Sequence, residues 1–534
     1  MRRHTHGAWR AIARFSATAL ATGGIVALAA GPASATTITV HNQAQLASAW
    51  GNPSVSDITL AANINVCGTL TRPPASQAIL VHGANHVVKA TCTGSLLVAG
   101  GTAAIHIVQT TLRDAKYDKN FRHGAALEAV HAPVQLSQSI IENNNAVIGA
   151  VQAKSLVANG TQFLNNGALA TNLGFGAGGA TLVGGGATIT NSTFSGNDIY
   201  GDGAGLRATG HVTVTGSTFS NNSGKGGGEA ISAASAAITN STFSGNLSYA
   251  AEGGGAVGVT GSAQVTSSTF TNNSAGIGDG GALGGSTVAV VNSTFSGNST
   301  DSGHGGAITG NDVSVTRSTF HGNSSAADGG AIHVGHSLQA VTSTFDSNST
   351  TGAGSSDSNG GAISGASGAS LAVVNSTITN NSTAESAQGS AIYVDGLLRL
   401  QFDTIDANPT APDGNAPVSQ IFGTAAATLN PVRGTVVSGG APGRDCTIAT
   451  TSGGSNYDDD GTCGFNGTGD FSHAASPQLG MLRNNGGPTF TQDPAATSPL
   501  VNVVVGTCLA LDQRGVARPQ GSACDIGSVE RIHS

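Results

Sequence analysis

"NSTFSGN" occupies Asn191–Asn197 and returns at 240–246 and 292–298. Variants sit between and beyond: "GSTFSNN" at 216–222, "RSTFHGN" at 317–323 and "TSTFDSN" at 342–348. Its apolar position marks a series: Ile141, Phe163, Phe194, Phe219, Phe243, Phe270, Phe295, Phe320, Phe345, Ile378 and Ile405. The steps are 22, 31, 25, 24, 27, 25, 25, 25, 33 and 27 residues. Three residues after every marker stands an asparagine: Asn144, Asn166, Asn197, Asn222, Asn246, Asn273, Asn298, Asn323, Asn348, Asn381 and Asn408. A fixed period of this size is the mark of stacked supersecondary units.

A second mark keeps the same period. "GGAT" stands at 178–181, "GGAV" at 254–257, "GGAL" at 280–283, and "GGAI" at 305–308, 329–332 and 360–363. Between the marks run short alternating stretches such as Val313-Ser314-Val315, so each unit reads as three short strands parted by Gly, Ser and Asn turns. One unit cannot bury its own inward face, whereas stacking buries all of them. The expectation is an all-β, right-handed parallel β-helix of about 25 residues per rung. With rungs ~4.8 Å apart, the eleven marked rungs and their flanks make a rod roughly 60–75 Å long. Phenylalanine and the Ala-Ile pair should point inward, and the glycines should make corners that no Cβ can share. The asparagines from Asn197 through Asn348 should hydrogen-bond rung to rung as a ladder. Asn-Ser-Thr triplets at Asn191, Asn240 and Asn292 also match a glycosylation acceptor, which the turn chemistry of the repeat already accounts for.

The flanks differ. Arg2, Arg3, Arg10 and Arg14, an apolar stretch from Ala17 to Ala30 and Ala33-Ser34-Ala35 describe a secretory signal peptide over 1–35, with a mature start near Thr36. Region 36–112 reads as an N-terminal cap, with a short helix around 42–50, followed by the first rungs. Residues 113–440 form the repetitive helix, and 441–534 a separate C-terminal cap domain. The formal charge of −8 becomes about −12 without the four leader arginines, which excludes a nucleic-acid footprint. No later stretch is apolar enough to span a membrane. The six cysteines of an exported chain suggest disulfides, and neighbour pairing, Cys67 with Cys92, Cys446 with Cys463 and Cys508 with Cys524, is the simplest arrangement.

Chemistry on such a rod needs acids at equivalent places on successive rungs. One column qualifies: Asp202, Asp279, His304, Asp328 and Asn359 precede the GGA corner, with Asp279, His304 and Asp328 on consecutive rungs. A solvated corner competes with catalysis as the reading of this column. The densest charge cluster, "RDAKYDKNFRHGAALE" at 113–128, offers Arg113, Lys116, Lys119 and Arg122 as a contact surface for a glycan or protein. Tryptophan and tyrosine are scarce, which weakens a stacking platform for sugars. No metal or cofactor is expected, and the chain reads as a monomer.

GGA[ILV] in phase with F-x-x-N over about 120–410 resembles the repeat of chlamydial polymorphic outer membrane proteins. The end of the chain, "LGMLRNNGGPT" at 479–489, "SPLVN" at 498–502 and "DQRGVARPQGSACDIGSVE" at 512–530, resembles the choice-of-anchor Q domain of secreted bacterial surface proteins. This chain has Asn502 where that family usually has aspartate, and Val529 where it has an aromatic residue. Asp512, Arg514 and Arg518 are expected to make an ion-paired cap over the last rung. The resemblance implies a secreted or cell-surface protein with a structural, adhesive or envelope-associated role, meeting surface glycans or proteins and either released or held non-covalently. The fold also hosts polysaccharide lyases and glycoside hydrolases, and non-catalytic glycan binders, which stay open as alternatives.

Overall fold

Each copy of the heptad folds the same way. Asn191 takes a left-handed φ of 48° and Gly196 one of 64°, so two bends bracket the three-residue strand Thr193–Ser195. Ser192 turns its hydroxyl inward, Phe194 is fully buried, and Asn197 closes the corner. The computed structural model describes residues 37–117, 124–168, 178–249, 253–352, 358–384, 387–409, 418–440 and 444–532. The signal-peptide reading, Lys119 and Arg122 lie outside them.

Stacked, these units make a parallel β-solenoid with three sheets. A 25-stranded sheet carries two segments of each turn, the strand after the GGA corner and the alternating Val-x-Val strand. Where the two segments merge, as in Leu283–Val291 and Ile308–Thr316, Leu283 pairs with Ile308 and Val288 with Val313. A second sheet holds the phenylalanine strands in strict register, Phe163 beside Phe194, then Phe219, Phe243 and Phe270. A third, 9-stranded sheet of two-residue strands follows the ladder asparagines from Asn145–Ala146 to Ser349–Thr350.

The core is a stack of like on like. Phenylalanine ring centroids lie 4.3 Å apart at Phe163–Phe194 and 5.1 Å at Phe295–Phe320, with planes 12° and 8° apart. The alanine and following aliphatic residue of each corner, such as Ala307 and Ile308, are both fully buried. The two corner glycines do different jobs. Gly280 supplies a φ of 70°, whereas a Cβ on Gly281 would collide with the carbonyl oxygen of Gly306 on the next rung.

Two polar ladders run beside this core. Each ladder asparagine satisfies all four of its hydrogen-bonding positions. Asn273 Nδ2 donates to Phe243 O (3.0 Å) and to Asn298 Oδ1 (2.9 Å), and its Oδ1 accepts from Asn246 N (3.1 Å) and Nδ2 (2.8 Å). A serine ladder lies two residues before the apolar marker. Ser192 Oγ accepts from Thr161 N (3.1 Å) and donates to Thr190 O (2.8 Å), and Ser217, Ser241, Ser268 and Ser293 repeat the pattern.

At the N-terminal end the helix Gln43–Gly51 starts on Asn42, whose side chain accepts from Gln45 N, and buries Leu46, Ala49 and Trp50. The buried Arg72 guanidinium donates to Trp50 O (3.2 Å), Asn52 O (3.0 Å) and Val55 O (2.9 Å), placing a cation against the carbonyl end of that helix. All three neighbour disulfides are closed: Cys67–Cys92, Cys446–Cys463 and Cys508–Cys524.

The C-terminal segment does more than sit on the last rung. It lies back along the outer face of the phenylalanine sheet. The outward threonine of the motif is exposed at Thr242, Thr269 and Thr294 but fully covered at Thr344, Thr377 and Thr404. Thr344 Oγ1 donates to Phe490 O (2.6 Å), Thr377 Oγ1 to Gln513 Oε1 (2.7 Å), and Ser528 N to Thr404 Oγ1 (3.0 Å). A second apolar cluster of Phe402, Val436, Tyr457, Leu500, Val504, Cys524 and Ile526 fills this seam. The expected ion pairs are present with altered partners: Arg514 meets Asp512 at 2.9 Å, but Arg518 pairs with Glu530 at 3.2 Å and lies 4.7 Å over Phe402.

Candidate functional site: the corner column and its groove

The column before the GGA corner is where the sequence places candidate acids, and its hydrogen bonds define what it does. Asp202 Oδ1 accepts from Gly227 N (3.3 Å), Asp279 Oδ1 from His304 N (2.7 Å), and His304 Nδ1 from Asp328 N (3.2 Å). Asp328 Oδ1 then accepts from Asn359 N (2.8 Å), and Asn359 Oδ1 from Gln388 N (2.9 Å). Each side chain therefore caps the backbone N–H of the equivalent residue one rung on. A polar side chain beside glycine is selected here because the corner interrupts the strand ladder and leaves that N–H to be satisfied.

Beside the column opens a groove of about 570 Å³, lined by Gly253, Gly258, Gly284, Asp279, Thr309 and His333 among others. Its floor belongs to an outward column that runs along the register from Arg207 to Phe422, of which Ser232, Gly258, Gly284, Thr309 and His333 line the groove. Glycine at two successive rungs leaves the backbone bare and creates the depression. Further along, the rings of Tyr393 and Phe422 stack 5.8 Å apart on adjacent rungs.

The structure joins His304 and Asp328 to a residue the sequence reading missed, His333. One ligand-capable atom of each lies within 4.8 Å of the others, and Asp279 is not one of this trio. The imidazoles of His304 and His333 pack 4.6 Å apart at 30°. His333 Nδ1 is buried with no partner among the described residues. Burial first, then the charge of His304, lowers the His333 pKa to about 4, so its ring is neutral at neutral pH. The His304 Nδ1–Asp328 Oδ2 distance is 3.6 Å. His304 Nδ1 is already engaged by the Asp328 N–H, so the trio reads as a hydrogen-bonded corner. The signal for His333 was available in the sequence only through the outward register, which is offset from the corner column.

The charged loop resolves differently. Arg113 pairs with Glu142 (3.0 Å) and Asp114 (3.1 Å), and Lys89 approaches Asp114 at 3.8 Å. Lys116 is fixed through its backbone to Gly94 and Asn145. The structure thus neutralises Arg113 within its own rungs.

The "right handed beta helix region" family matches residues 169–295, and the "Chlamydia polymorphic membrane protein repeat" matches residues 317–335. The parallel β-solenoid of the described residues agrees with the first match, and residues 317–335 are similar to the polymorphic membrane protein repeat. That repeat fits a surface or outer-membrane protein, and the closed disulfides fit an extracytoplasmic location. No curated protein matches the chain. Among the described residues no helix is long and apolar enough to cross a membrane.

Proposed function

We propose that the protein is a cell-surface or secreted rod whose role is adhesive or envelope-associated contact, with surface glycans or proteins as partners. The observation that carries this reading is the corner column: the acids on which a catalytic site would rest, Asp279 and Asp328, are engaged in joining rungs. On the outer face of the phenylalanine sheet the exposed motif positions carry short threonines, Thr242, Thr269 and Thr294, suited to lateral contact. The segment 441–534, on its resemblance to a choice-of-anchor Q domain, is the part assigned to attachment. Fractionation of the producing cell, with surface shaving by protease, tests the proposal. Surface retention supports it; recovery wholly in the medium, with no binding to cells or matrix, overturns it.

A second reading draws on the bare-floored groove, which is open along the rod and would admit an extended glycan chain. A glycan array separates binding from cleavage. Capture without product formation fits a binder, whereas turnover lost in both Asp279→Ala and Asp328→Ala would establish a lyase or hydrolase.

A further inference from the structure

Four aspartates meet where the amide ladder ends. Asn408 Nδ2 donates to Gln420 Oε1 (2.9 Å), and Gln420 Nε2 donates onward to Asp445 Oδ1 (2.7 Å). The Cys446–Cys463 bridge ties the strand Arg444–Thr447 to the loop that begins at Asp458. As a result one carboxylate oxygen from each of Asp445, Asp458, Asp459 and Asp460 lies within 4.8 Å of the others. Asp445 and Asp458 are 0 % exposed, and Asp459 and Asp460 are half-buried. Among the described residues, no Lys, Arg or His pairs with any of the four.

Hydrogen bonds sort the oxygens into two sets. Asp458 Oδ1 accepts from Gly461 N (3.0 Å) and its Oδ2 from Cys463 N (2.9 Å); Asp460 Oδ1 accepts from Thr462 N (2.8 Å) and its Oδ2 from Asp445 N (3.0 Å). These two residues hold the loop in shape. Asp459 Oδ2 takes the Gly439 N–H (3.1 Å). Asp445 Oδ2, by contrast, is buried and meets no donor among the described residues. The hydroxyl of Tyr457, itself 0 % exposed, is also without a partner there.

Four carboxylates this close, two of them removed from water, require either shared protons or a cation. The donor set is all oxygen, with no imidazole or thiolate, and that chemistry selects a hard ion. We infer that Asp445, Asp458, Asp459 and Asp460 form a calcium site, in which the unpartnered Asp445 Oδ2 and the half-buried Asp459 face the ion. Gln420 acts as the positioning residue: it fixes Asp445 from behind and connects the ion to the ladder. The bound ion locks the last rungs and the segment that braces them. This site is independent of any adhesive role.

The test uses the full chain, stripped with EDTA and desalted. Tb³⁺ is the first probe, because excitation of the neighbouring Tyr457 should sensitise its emission; Ca²⁺ is then titrated as competitor and by calorimetry. The expected result is one site, displaced by Ca²⁺ in preference to Mg²⁺, and a thermal unfolding midpoint that Ca²⁺ raises. Asp459→Asn should weaken binding at least tenfold and stay folded, since Asp458 and Asp460 shape the loop, while the exposed Asp301→Asn should bind as wild type. Absence of Tb³⁺ emission and of Ca²⁺ heat, with unfolding unchanged by EDTA, would mean that protons hold the cluster and would overturn the inference. Equal binding by Asp459→Asn and wild type would overturn it too. Should that variant not fold, the wild-type titration decides alone.

Discussion

Removing one amide from the middle of the ladder tests whether the ladder holds the rungs together. Asn273→Ala deletes four hydrogen bonds, but the partners do not suffer alike. Asn298 Oδ1 keeps the backbone donor Asn273 N (3.0 Å). Asn246 N, one Nδ2 hydrogen of Asn246, and the Phe243 carbonyl lose their contacts with the deleted amide. At ~1–3 kcal/mol for each buried group left unpaired, the cost is about 3–9 kcal/mol, toward the lower end if a water enters the vacated space. Asn273→Asp keeps the size but turns an acceptor toward Phe243 O and Asn298 Oδ1, so it should be at least as damaging. A solenoid can unfold in sections, so the readout should be local. Amide hydrogen exchange around Asn246 and Asn273 should accelerate by ~100-fold or more, as a 3 kcal/mol loss requires. The exposed Thr294→Ala control should change stability by under about 0.5 kcal/mol. Protection in Asn273→Ala within threefold of wild type, or Asn273→Asp indistinguishable from it, would refute the ladder as an energetic element.

Other outcomes follow from the same geometry. Phe270→Ala opens a hole between rings stacked at 4.6 and 4.7 Å and should cost ~3–5 kcal/mol in denaturant unfolding, with Phe270→Leu costing less. His333, neutral in the fold with its pKa lowered from 6.5 to about 4, contributes stability that is present above 6.5 and lost as pH falls toward 4. The loss amounts to at most ~3 kcal/mol, and His333→Gln should flatten that limb of the stability–pH curve. Arg518→Met strands the buried Glu530 and should cost ~3–5 kcal/mol by thermal unfolding, with the double variant Arg518→Met/Glu530→Gln recovering much of it.

The repeat was legible because its chemistry is local. Two bends bracket three strand residues, and every copy writes the bends, the inward apolar side chain and the closing amide within seven positions. The glycine pair was legible for the same reason, although only the structure separates Gly280, chosen for φ, from Gly281, chosen for space. Ser192 was hidden inside the motif, since a small polar residue at a turn can serve solvent or backbone equally well. Contacts across rungs were harder. His333 reaches His304 from an outward strand position in the next turn, and Asp445 reaches Asp458 through a disulfide loop. The lateral path of the C-terminal segment left no periodic trace, because it is irregular chain whose partners lie well over a hundred residues away, as Gln513 does from Thr377.

The asparagine ladder also has a direction. Every amide offers its oxygen toward the beginning of the chain and one NH₂ hydrogen toward the end, so in the amide-to-amide series each rung is acceptor to the one before and donor to the one after, while the second hydrogen reaches back to a phenylalanine carbonyl. Such a unit can be duplicated or deleted between Asn197 and Asn348 while its neighbours meet the same partners as before. Gene-level slippage in whole periods would therefore change the reach of the rod without redesigning either terminus. Gln420 takes the last donor and hands it to Asp445, so lengthening can occur only by insertion, and the finished end offers no free amide to a further copy.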